Sequence, residues 1–125
     1  MVEFIIYVKD QDASTSFYSS ILKMKPVLHV PGMSEFELHN SVKLGIMPEN
    51  GIAKIICPVM PNPSGNTGIP RCELYLHVDN PQHYFENALK FGAKSIQQEK
   101  EMDWGHCVAY VADPDGHIIA FAKAK

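Results

Sequence analysis

Two kinds of hydrophobic spacing follow one another along this chain, and the same succession then repeats. Residues 2–8 alternate as a strand does: Glu3, Ile5 and Tyr7 fall on one face, Phe4, Ile6 and Val8 on the other, because strand side chains repeat with period two. Residues 10–14 are rich in helix-starting side chains, with Asp12 or Ser14 as the expected N-cap. Phe17, Tyr18, Ile21, Leu22 and Met24 recur at helical spacing as one apolar stripe. That stripe predicts a helix packed on a sheet, running to about Lys23 and ending before Pro26. Three short strands are predicted next, over 26–30, 34–39 and 42–47, with turns at Pro31-Gly32 and Asn40-Ser41. Residues 52–56 are apolar but too few to assign to either state.

The second round opens at residues 71–78. Leu74, Leu76 and Val78 point one way, and Arg71, Glu73, Tyr75 and His77 the other. Glu73-Leu74-Tyr75-Leu76-His77-Val78 repeats the pattern of Glu3-Phe4-Ile5-Ile6-Tyr7-Val8, seventy residues earlier in the chain. Each copy runs through an aspartate, Asp10 or Asp79, into a helix. In the second helix Asp79 or Asn80 is the expected cap and Pro81 sits in the first turn. Tyr84, Phe85, Ala88, Leu89 and Phe91 form its stripe, and Gly92 suits the left-handed closing position. A strand over 94–98, an exposed polar turn over 97–103, and strands over 104–111 and 117–122 complete the pattern. Asp113-Pro114-Asp115-Gly116 is the last turn: Pro presets φ, Asp bonds its own backbone, Gly tolerates positive φ. The order β-α-β-β-β thus appears twice, an internal duplication. The modules span about 1–57 and 71–125. The linker 58–70 holds four prolines, two glycines and two asparagines with no period. It suits a plain connector or a flap over a site.

At 125 residues and 46% apolar, the chain suits one α+β domain made of two halves. A net charge of -3 gives no basic footprint for nucleic acid or an anionic membrane. No apolar run reaches membrane-spanning length and no secretory signal is visible. Three widely spaced cysteines without a CxxC pair suggest reduced thiols and a cytoplasmic location.

The order strand, Asp, helix with Phe17-Tyr18 and Leu22, then a second copy ending in Trp104-Gly105 and Asp113-Pro114-Asp115-Gly116-His117, resembles the glyoxalase/bleomycin-resistance/extradiol-dioxygenase superfamily, also called vicinal oxygen chelate proteins. The resemblance covers almost the whole chain. It implies paired modules whose eight strands form a curled mixed sheet with a cleft, helices outside. In the enzymes of the family, that cleft holds a divalent metal on four strands. Placed on this sequence, the four ligand positions fall on Glu3, on Lys43 or Gly45, on Glu73, and near Ala120. Only the two glutamates can donate. Two carboxylates can hold a hard divalent ion with waters, but not the three- or four-ligand centre of a catalytic zinc, nickel or iron enzyme. No cofactor is therefore expected. The family's double modules usually pair, so the resemblance also implies a homodimer.

Glu3 and Glu73 are the candidate catalytic carboxylates and the weak metal candidates. Tyr7, Arg71, Tyr75, His77, Trp104 and Tyr110 are the candidate ligand-binding residues. Each has a plainer reading: Arg71 with Glu73 suits a surface ion pair, Glu3 suits a solvated terminus, and the aromatics suit core packing. The six histidines show no metal-ligand spacing such as HxH or HExxH. Two functions follow. One is a metal-free binder of a small molecule, cationic or rich in hydrogen-bond donors. The other is a glyoxalase-type lyase or isomerase, driven by a metal or by metal-free proton transfer between carboxyl groups.

Overall fold

The computed structural model describes residues 1–65 and 68–125. Asn66 and Thr67, within the expected linker, lie outside the described residues. Two compact units divide the chain, Met1–Thr67 and Gly68–Lys125.

The first unit holds β1 (Val2–Val8), α1 (Gln11–Leu22), β2 (Leu28–Val30), β3 (Met33–His39), β4 (Val42–Pro48) and α2 (Glu49–Ile56), then a short 3-10 turn at Pro63–Gly65. Its sheet order is β1-β4-β3-β2. The β1–β4 pair is parallel and the others antiparallel. One face of this sheet carries Leu44, Ile46, Phe36 and Val8, all buried, with Phe17, Tyr18 and Ile21 of α1 buried too. Asp10 caps α1, its carboxylate accepting from the Ala13 amide at 3.0 Å. Asp12 and Ser14, the expected caps, lie inside the helix. A cap needs extended backbone with its oxygen aimed at an amide three residues on, and Asp10 has both (φ -130°, ψ 106°). Residues 49–56 are helical, which takes in the run 52–56 left open by the pattern, with Ile52 and Ala53 buried.

The second unit repeats the order: β5 (Glu73–His77), α3 (Pro81–Lys90), β6 (Lys94–Glu101), β7 (His106–Ala112) and β8 (Ile118–Ala124). Its sheet order is β5-β8-β7-β6, the same as in the first unit. Asn80 caps α3 and Gly92 adopts φ 99°, as the pattern predicts. Asp113 is buried, and its Oδ1 accepts from the amides of Asp115 and His117 at 2.9 and 2.8 Å. Its Oδ2 lies 2.8 Å from His117 Nδ1, so the Asp-Pro-Asp-Gly turn is locked by its first residue.

The eight expected strands are present, four in each of two mixed sheets. The boundaries differ from the pattern by one or two residues at several ends, and more consequentially at three places. Residues 99–101, expected only as a turn, extend β6, which stays paired with β7 to Glu101 across two register shifts. Trp104 and Gly105, expected in a strand, form the turn before β7, with Gly105 at φ 90°. Arg71 and Cys72 precede β5, so Arg71 is not on the strand face assigned to it.

Candidate functional site

Register shows that the two sheets place equivalent residues in equivalent ways. In the first, Gly45 lies between Ile5 of β1 and Glu35 of β3. In the second, Ala120 lies between Tyr75 of β5 and Tyr110 of β7. Each sheet therefore has a small residue in the middle of its polar face, and larger groups fill the space above it.

In the first sheet that space is taken by Glu3. A Cβ added at Gly45 would stand 2.5 Å from Glu3 Oε2 and 2.9 Å from Ile5 Cγ1. Lys43 pairs directly with Glu3 in register, and its Nζ reaches Glu35 Oε1 at 3.3 Å. Glu3 Oε2 is buried without a hydrogen-bond partner. Two ionised carboxylates cannot bond to each other, whereas a proton on Glu3 supplies the missing donor toward Glu35. Burial raises the Glu3 pKa first, the Glu35 side chain raises it further, and Lys43 opposes both. Among its own unit's groups, the partner of Glu3 is Glu35. Glu35 reaches this place because it pairs with Gly45 across β3 and β4, which only strand pairing reveals.

The second sheet carries a hydrogen-bonded aromatic group. Trp104 Nε1 donates to the Tyr75 hydroxyl at 2.9 Å, and that hydroxyl lies 2.7 Å from His106 Nδ1. Indole can only donate. The order that satisfies all three groups has Tyr75 donating to a neutral His106 protonated on Nε2, an assignment from the network. The His77 ring stands edge-on to both Tyr75 and His106, with centroids 5.5 and 5.4 Å apart. Tyr75 and Tyr110 pack over Val108, Ala120 and Ala122. Burial raises the Tyr110 pKa, with smaller contributions from the Glu73 carboxylate and Tyr75. Five predicted residues, Glu73, Tyr75, His77, Trp104 and Tyr110, thus belong to this one unit. His106 is the member that sequence reasoning missed. Its signal was its place on β7 beside Trp104, not any ligand spacing.

Other predicted residues stand apart from these groups. Arg71 makes no ion pair with Glu73 among the described residues. Tyr7 is exposed on β1. Two open cavities in the first unit, of about 540 and 490 Å³, share Asp12 and His29 and include no predicted site residue.

The residues present do not fit a family-type metal centre. Gly45 has no side chain, Ala120 offers a methyl, and Lys43 brings a positive charge. Among the described residues, no three His, Cys, Asp or Glu side chains are grouped to hold a metal ion.

Comparison with known proteins places this architecture. A glyoxalase-like domain model matches residues 1–124. A glyoxalase-related enzyme from Fulvimarina pelagi superposes with a TM-score of 0.83 at 20% identity, over 98% of this chain and 86% of that one. A glyoxalase/bleomycin resistance protein/dioxygenase family enzyme from Burkholderia phytofirmans PsJN gives 0.84 at 15% identity, over 98% and 97%. A protein from Agrobacterium tumefaciens, solved by solution NMR, gives 0.76 at 31% identity, over 98% and 95%. No curated protein matches the sequence. With a family match across nearly its whole length and the repeated four-stranded sheets, the chain belongs to the glyoxalase-like domain family.

Proposed function

We propose that this protein binds a small molecule on the polar face of its second sheet, without a full catalytic metal site. The observation that carries the reading is the Trp104–Tyr75–His106 hydrogen-bond chain. It fixes three ring side chains in one arrangement before any ligand arrives, which lowers the entropy cost of binding. Glu73 adds an exposed carboxylate on the same face. A flat ligand carrying a cationic or hydrogen-bond-donating group suits these side chains. A homodimer is proposed with it, supported by the exposed Val2 and Phe4 on the edge strand β1. A cytoplasmic location is supported by three free cysteines.

A thermal-shift screen of aromatic, cationic and donor-rich compounds tests the reading. A ligand at a hundred times its Kd adds ~2.7 kcal/mol to stability. At the same ligand concentration the gain is expected to be clearly smaller in Tyr75→Phe than in the wild type. Hits that stabilise both proteins equally would contradict it.

A second reading is metal-free proton transfer of the glyoxalase lyase/isomerase type. The raised pKa of Glu3 favours it, since a carboxyl that holds its proton above the usual carboxylate range suits an acid–base group. Turnover of glutathione hemithioacetals that survives a chelator and is lost in Glu3→Gln would support this reading, and no turnover would end it.

A further inference from the structure

We infer that Lys43 is a resident cation that closes the first sheet to divalent metals. The observations are independent of the second sheet. Glu3 and Glu35 both face the space over Gly45, the place where a metal-dependent relative would need a donor and an ion. Lys43 stands opposite Glu3 in register and holds Glu35 at 3.3 Å through its ammonium. A divalent ion bridging the two carboxylates would lie beside that ammonium, and the repulsion between unlike-sized but like-signed charges grows as water is excluded. Both Lys43 and Glu35 are largely covered, their side chains 26% and 18% exposed, so solvent screens the interaction only in part. Gly45 completes the arrangement. Its missing side chain leaves the room into which the Glu3 carboxyl turns, toward Glu35 and away from open solvent. The negative charge of the two acids is thus met inside the chain, and the first sheet needs no metal to balance it. With Lys43 made neutral, the same two carboxylates become a weak oxygen site for a hard cation such as Mn2+.

Paramagnetic broadening by MnCl2 of backbone amide resonances tests this. In the wild type, the Glu3, Lys43 and Gly45 amides are expected to stay sharp, relative to exposed acidic positions, up to ~1 mM Mn2+, the weak end of carboxylate sites. In Lys43→Met they broaden selectively, and adding Glu35→Gln abolishes the effect. Lys43→Arg, which keeps the charge, behaves as the wild type. The variant's own spectrum reports whether it is folded, and Lys43→Gln carries the same test should Lys43→Met unfold. Selective broadening in the wild type, or a neutral variant as refractory as the wild type, overturns the inference.

Discussion

The Glu3 carboxyl occupies the space that Gly45 leaves open: Oε2 lies 2.5 Å from where a Cβ would stand. Gly45→Ala therefore forces the Glu3 side chain out of its place beside Glu35. The expected result is a Glu3 pKa that falls back toward the ordinary carboxylate range, because both burial and the neighbouring acid are lost. Carboxyl carbon shifts followed through a pH titration measure it. A Glu3 pKa unchanged in Gly45→Ala would show that the carboxyl does not depend on this space.

The raised pKa of Glu3 also sets a direction for stability. In the window between its unfolded value, near 4.5, and its higher folded value, the folded state binds more protons than the unfolded one. The contribution of Glu3 is therefore present below the unfolded value and is lost as pH rises through the folded one. Glu3→Gln, which cannot ionise, is expected to lose less stability than the wild type between pH 4.5 and 7. Denaturant midpoints at several pH values measure the difference.

Much of this fold is legible in the sequence because its signals are local. Period-two alternation gives the strands, the stripe Phe17, Tyr18 and Ile21 gives α1, and Asn80-Pro81 and Gly92 bracket α3. The errors fall where tertiary pairing overrides local chemistry. Residues 99–101 are polar enough for a loop, yet β7 holds them in a strand. Asp12 and Ser14 have capping side chains, yet Asp10 has the extended backbone. Among the candidate residues, the repeat singles out Glu3, Glu73, Tyr75 and His77. Glu35 and His106 stayed hidden because their contacts cross between strands far apart in sequence.

Asp113 should carry more stability than any other residue of its turn. It is buried and bonds two amides and the His117 ring. Asp113→Ala leaves those donors unpaired and is expected to cost about 2–3 kcal/mol. Pro114→Ala, on the exposed side of the same turn, should cost far less. Urea unfolding of both variants provides the comparison.

Ser34 plays a similar part in the first unit. Its fully buried hydroxyl meets Gln11 Nε2 at 3.0 Å, Thr15 Oγ1 at 2.8 Å and His29 Nδ1 at 2.7 Å. It ties α1 to β2 and β3 through one atom. Ser34→Ala is expected to cost about 1–3 kcal/mol and to speed exchange of the Gly32 amide, which Gln11 Oε1 holds at 2.9 Å. Hydrogen exchange and thermal unfolding check the two effects together.

Trp104 is the single tryptophan of the chain, and its indole N–H is bonded to Tyr75. Its emission therefore reports directly on the group proposed to bind a ligand. Compounds that stabilise the wild type should be titrated while Trp104 fluorescence is followed, in the wild type and in Tyr75→Phe. The account predicts a saturable change in emission whose midpoint matches the thermal-shift affinity, and a midpoint weakened at least tenfold in Tyr75→Phe, about 1.4 kcal/mol. A stabilising ligand that leaves Trp104 emission unchanged, or that binds Tyr75→Phe as tightly as the wild type, would contradict it.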